Sequence, residues 1–87
     1  MPYAIDFAPK AAVALSALPP KIRRQVARRV DLLAAHPRAP DSKKLQGLEN
    51  LYRVRSGDYR IVYQIQDKKL LVLVVRIGNR RDVYHGP

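Results

Sequence analysis

The chain has 87 residues, with 17 Lys and Arg against 7 Asp and Glu, giving a formal net charge of +10. This length gives room for one small domain, residues 1–87, and a hydrophobic share of 47% is too high for intrinsic disorder. The lack of cysteine excludes disulfides and thiolate metal sites, while the charge calls for a polyanionic partner, nucleic acid before acidic protein, because cations near phosphates release condensed counterions. Residues 1–6 lack the basic and apolar regions of a secretory signal, and the longest apolar run, residues 70–75, is too short to span a bilayer. The expectation is a cytoplasmic protein with no membrane partner.

Tyr3, Ile5 and Phe7 alternate with Ala4 and Asp6, which predicts a first strand. Pro9 suits the first turn of a helix, and the Ala- and Leu-rich residues 10–18 continue it, with Val13, Ala14 and Leu18 sharing a face. Pro19 and Pro20 mark a tight connection. Ile22, Val26, Val30 and Leu33 then recur at helical spacing, with Arg23, Arg24, Arg28 and Asp31 on the remaining arc, as on the solvated side of a second, longer helix. Pro37 disfavours helical geometry in its predecessor, so this helix should stop near His36, a residue suited to facing the last carbonyls.

Residues 37–47 read as a basic loop carrying Lys43 and Lys44. Three strands are expected after it, at 51–55, 59–66 and 70–77, with turns at 56–58 and 67–69. The unbroken apolar run in the third predicts a central strand covered on both faces. Gly78 and Asn79 read as a turn that brings Arg80 and Tyr84 back toward the sheet. The expected fold is α+β: strand, helix, helix and three strands, with both helices packed on one face of a small, mostly antiparallel sheet.

If Arg55 pairs with Arg60 across the first turn, Val54 stands opposite Ile61 and Tyr52 opposite Tyr63, as core pairs. The same register collects Arg53, Arg55 and Arg60 on the other face, beside Val62 and Gln64. Like charges directly opposite on a sheet are destabilising. Such a face is either a solvated outer surface or a phosphate-binding concavity of fixed guanidinium forks. Arg80, Arg81, Tyr84 and His85 add two cations, a phenol and an imidazole near the C-terminus.

Leu51-Tyr52-Arg53-Val54-Arg55-Ser56-Gly57-Asp58-Tyr59-Arg60-Ile61-Val62-Tyr63, the apolar strand, and then Gly78-Asn79-Arg80-Arg81-Asp82-Val83-Tyr84 together resemble the RelE toxins of the RelE/ParE superfamily. Leu45-Gln46-Gly47-Leu48 matches the family's lead-in. The resemblance implies a microbial RNase-like fold and cleavage of mRNA in the ribosomal A site, by attack of a ribose 2′-hydroxyl on the adjacent phosphate, with no metal or other cofactor. Carried over by position, Arg60 holds the phosphate in the transition state. Arg80 supports phosphate charge and leaving-group protonation, and Tyr84 orients the nucleotide. Lys43, Lys44 and Arg81 are expected to bind RNA.

Arg53 and Arg55 occupy positions where the best-known members carry catalytic lysines, and a guanidinium is a poor proton acceptor. Tyr84 or His85 is then the alternative base, His85 having the more suitable ordinary pKa and Tyr84 the family motif. The implied partners are an antitoxin with an acidic binding segment, mRNA on the ribosome with its rRNA, and operator DNA reached through the antitoxin. Two other functions fit the same residues: a ParE-like poison of DNA gyrase, and a noncatalytic nucleic-acid-binding module.

Overall fold

The computed structural model of the chain describes residues 2–47 and 49–79. Period-two alternation at the start becomes β1 (Ala4–Phe7), and the two proline-opened helical patterns become α1 (Pro9–Ser16) and α2 (Pro20–Ala35). Each helix begins on its proline, where the missing N–H has no intrahelical acceptor to lose. β3 (Leu51–Ser56), β4 (Tyr59–Gln66) and β5 (Leu71–Asn79) follow, as expected. A short strand that the sequence pattern does not announce, β2 (Lys43–Lys44), lies inside the basic connection.

Among the described residues the sheet has five strands in the order β1-β5-β4-β3-β2. Only β1 and β5 pair in parallel; the other neighbours are antiparallel. The expected hairpin register is the observed one, with Arg55 opposite Arg60, Val54 opposite Ile61 and Tyr52 opposite Tyr63. Its loop is tighter than expected, because Ser56 pairs with Tyr59 and only Gly57 and Asp58 lie between them. Gly57 has φ +59 while Asp58 has no positive φ, the pattern of a type II′ hairpin turn whose twist suits the flanking strands.

Both helices press on one face of the sheet. Ala11, Val26, Val30 and Leu33 from the helices meet Val54, Ile61, Tyr63, Ile65, Val72, Val74 and Ile77 from the strands in one apolar cluster. Burying a side chain of Val or Leu size stabilises by about 1.5–3 kcal/mol, so this cluster supplies the main driving force. Val13 is not part of it and is 68% exposed, contrary to the expected helix face. The buried Ala11 sets the phase, and Ala14, Leu15 and Leu18, at three, four and seven residues on, line the core instead.

Among the described residues the apolar strand β5 is covered by helices on one face alone. Val72 and Val74 are buried against them, whereas Leu71, Leu73 and Val75 are only partly buried on the other side. Gly78 and Asn79 are not a turn but the end of β5, paired with Arg60 and Tyr59. Glycine carries no signal that distinguishes a strand end lying across from a large side chain from a turn. Among the described residues no helix is long and apolar enough to cross a membrane.

Polar ties fix the ends of the elements to one another. The Tyr63 hydroxyl donates to the Pro37 carbonyl at 2.6 Å, holding the exit of α2 over β4. Leu70 sits in the left-handed region at φ 50, ψ 49, after a single 3-10 turn at Asp67–Lys69. Its carbonyl accepts the Ala4 N–H at 2.7 Å, so docking of β1 helps to offset a conformation that costs an L-residue about 1 kcal/mol. Beside it, Asp67 accepts from Arg38 at 2.8 and 3.2 Å and from the Tyr3 hydroxyl at 2.6 Å.

The hydrogen bonds from Arg38 and then Tyr3 hold the Asp67 carboxyl down at about 2, below the ordinary 3.8. A depressed carboxylate pKa contributes stability that is complete above the unfolded value and lost as pH falls through the folded one. Wild type should therefore exceed Asp67→Asn in stability above about pH 4, and the gap should shrink as pH falls and close below about pH 2. Urea denaturation of both chains across that range measures it. A gap independent of pH would mean that the ion pair contributes nothing, as many exposed pairs do.

Candidate functional site

The hydrogen bond from the Ile65 N–H to the Asn50 carbonyl, 2.8 Å, sets the phase of the β3–β4 ladder. It makes Leu51 and Gln64 a non-hydrogen-bonded pair, and by alternation Arg53 with Val62 and Arg55 with Arg60 as well. Pairs of this kind bring side chains closest, with about 4.5 Å between Cα atoms. Arg55 and Arg60 therefore rise side by side from the face turned away from the helices, with Arg53 two residues along. Lys43 on β2 pairs with Arg53 and joins that face. Lys44 pairs with Tyr52, so its side chain belongs to the opposite side.

The members differ in environment. Arg55 is exposed, Arg53 is half-buried, and Arg60, on the middle strand, is only 3% exposed. Among the described residues no buried side-chain nitrogen or oxygen lacks a hydrogen-bond partner. A guanidinium seated so deeply is fixed in orientation, the property that a transition-state donor needs. Arg55 lines two adjoining clefts. One, of about 330 Å³, is shared with Asp41, Lys43, Arg53 and Val54. The other, of about 150 Å³, is shared with Gly57, Asp58, Tyr59 and Arg60.

Arg29 of α2 braces this edge. β2 ends opposite Arg53 and leaves the Arg55 carbonyl without a strand partner on that side. The Arg29 Nε donates to that carbonyl at 3.3 Å, while its NH2 group donates to both oxygens of Asp41 at 2.5 and 2.6 Å. One arginine thus ties helix, basic connection and β3 together, and pairs with the carboxylate at the rim of the larger cleft. Sequence periodicity assigns no role to Arg29, because its two partners are 12 and 26 residues away.

Arg76 is a second residue that the sequence pattern hides. The β4–β5 ladder shifts register between Val62 and Tyr63: Tyr63 faces Val74, but Val62 faces Arg76. The extra residue, Val75, turns Arg76 onto the same face as Arg53 and Arg60. Four expected site residues, Arg80, Arg81, Tyr84 and His85, lie outside the described residues. Of the others, the structure brings Arg53, Arg55, Arg60 and Lys43 together and sets Lys44 apart.

Known proteins resemble the chain in sequence and in fold. Residues 5–84 match the family of ParE toxins of the type II toxin–antitoxin system parDE. The mRNA interferase toxin RelE of Escherichia coli K12 is 33% identical over 82 residues, 92% of this chain and 85% of that protein. The isolated E. coli RelE toxin superposes with a TM-score of 0.80 at 31% identity, over 94% of this chain and 90% of the other. A chain of the E. coli RelBE toxin–antitoxin complex does so at 0.78 and 32% identity, over 88% of this chain and 95% of the other. Family match, sequence identity and superposed fold agree over nearly the whole chain, which belongs to the RelE family of toxins within the RelE/ParE superfamily of type II toxin–antitoxin systems.

Proposed function

We propose that this toxin is an endoribonuclease that cuts mRNA in the ribosomal A site. The observation that carries the reading is the pairing of Arg55 with the deeply seated Arg60 on the helix-free face, with Arg53 and Lys43 beside them. The name mRNA interferase borne by the E. coli relative supports the same chemistry. The 2′-oxygen of one nucleotide attacks the adjacent phosphorus, the bond to the 5′-oxygen breaks, and a 2′,3′-cyclic phosphate results. One proton leaves the 2′-hydroxyl and another reaches the departing 5′-oxygen.

Arg60 stabilises the charge that grows on the phosphoryl oxygens, with Arg53 and Arg55 in support, so the chain's own guanidinium groups supply the charge that a metal supplies elsewhere. By resemblance to the family, Arg80 assists at the leaving group and Tyr84 orients the nucleotide. The proton acceptor is Tyr84 or His85, since guanidinium groups stand at the lysine positions. Lys43, Lys44 and Arg81 hold RNA, rRNA included. An antitoxin with an acidic segment covers the basic surface, and the pair binds operator DNA through the antitoxin; the RelB–RelE complexes of relatives support such a partner.

Primer extension on a message held in programmed ribosomes tests the reading. Wild type should cut within the A-site codon, leave ribosome-free RNA whole, and stop cutting when its antitoxin is added first. Equal cutting of free RNA would take the ribosome out of the mechanism. The ParE description of the matching family favours a second reading, inhibition of DNA gyrase. Under it the folded chain leaves the message uncut and blocks supercoiling by purified gyrase.

A further inference from the structure

The bulge in β5 lies within the sheet rather than at an edge, and packing alone shows why it forms. Val74 and Ile77 are both buried under the helices although they are three residues apart, which an unbroken strand of period two does not allow. Continuing the register of Tyr63 with Val74 would set Arg76 opposite Ile61, which is 0% exposed in the core. A guanidinium buried there without a partner would cost several kcal/mol, roughly. Bulges re-aim side chains and are over-represented beside functional sites.

What this bulge re-aims is a cation. With Val75 inserted, Lys43, Arg53, Val62 and Arg76 form one row across β2, β3, β4 and β5. The row lies two residues, about 7 Å, from the row of Arg55, Arg60 and Gly78. That is the reach of one nucleotide of backbone. Arg76 is half-buried, and its side chain makes no hydrogen bond or ion pair with a described residue. Asp41, the carboxylate at the rim of the adjoining cleft, is already held by Arg29.

We propose that Arg76 is an RNA-binding residue, and that its row holds the phosphate next to the one gripped by Arg55 and Arg60. The proposal rests on the ribonuclease reading for its choice of single-stranded RNA as ligand. Arg76 positions the strand and takes no part in bond breaking, so its loss should weaken binding and leave the chemical step alone.

The test is the salt dependence of binding to a fluorescent, fully 2′-O-methylated oligoribonucleotide, which cannot be cut by 2′-attack. Arg76→Ala should bind about eightfold more weakly at 50 mM salt, and the slope of log K against log salt should fall by about 0.7, one single-strand phosphate contact. Arg76→Lys should keep the wild-type slope, and so should Arg24→Ala, a loss of charge on the exposed side of α2. In the ribosome assay Arg76→Ala should raise KM at constant kcat. Arg76→Gln, which keeps the aliphatic stem, replaces the alanine variant if that one fails to fold.

An unchanged slope in a folded variant overturns the proposal, as does a wild type that fails to hold the oligonucleotide at low salt. Wild-type binding with the expected slope change but no cleavage overturns the ribonuclease reading and leaves the Arg76 contact standing.

Discussion

Arg60→Ala should cut ribosome-bound message about a hundredfold to a thousandfold more slowly than wild type, the range found when one fixed transition-state donor is removed. The effect should fall on kcat, because a donor aimed at the charge of the phosphorane contributes little to ground-state binding. Seating makes Arg60 the member of its face with the most to lose. It stands on the middle strand of five, 3% exposed, whereas Arg55 opposite it is exposed to solvent. Arg60→Lys keeps the charge but not the planar fork and should fall between the two. Single-turnover cleavage, with far-UV circular dichroism to establish that each variant is folded, makes the measurement. A folded Arg60→Ala chain that cuts within about threefold of wild type would remove Arg60 from the chemistry.

The largest effect on stability should come from Tyr63→Ala, about 3–5 kcal/mol, a large share of the roughly 5–15 kcal/mol that holds a small domain together. Tyr63 is 0% exposed and belongs to the apolar core cluster, among its largest side chains. Its ring lies against Tyr52 with centroids 6.0 Å apart and planes at 23°, and Arg38 caps Tyr52 at 5.7 Å from the ring centre. Burial pushes its phenol pKa up, so the hydroxyl stays protonated and keeps donating to the Pro37 carbonyl. Tyr63→Phe removes that single bond and should cost about 1 kcal/mol. Equilibrium urea denaturation of the three chains separates the contributions. If Tyr63→Phe cost as much as Tyr63→Ala, the tie to Pro37, and not the packing of the ring, would be the main contribution.

Arg60 and Tyr63 are both legible in the amino-acid pattern, for a shared reason. In a hairpin a one-residue slip exchanges the faces, and only one register separates Tyr52, Val54, Ile61 and Tyr63 from Arg53, Arg55 and Arg60. The helix-facing stripe of α2 is equally legible, since Ile22, Val26, Val30 and Leu33 keep a strict helical spacing. The family signature, carried by the hairpin and the segment after β5, is legible too, because both are contiguous.

Other features depend on contacts between distant segments, which local pattern does not encode. The two-residue strand β2 exists because β3 offers a free edge, and its pairing is what sends Lys43 and Lys44 to opposite sides. Val13 is exposed because Ala11 sets the phase of α1 against β5, a choice that a helix made mostly of Ala, Val and Leu leaves open. Among the described residues the outer side of β5 carries no helix because α1 and α2 take the same side of the sheet, and an unbroken apolar run reads the same whether one face is covered or two. The order of elements, the register of the central hairpin and the arginines it gathers are written in the chain, since each follows from spacing along a continuous stretch. The brace that Arg29 puts on the edge of the site, and the bulge that turns Arg76 onto its face, arise only on folding. Both depend on which strands become neighbours and on which unpaired groups their packing leaves to be satisfied.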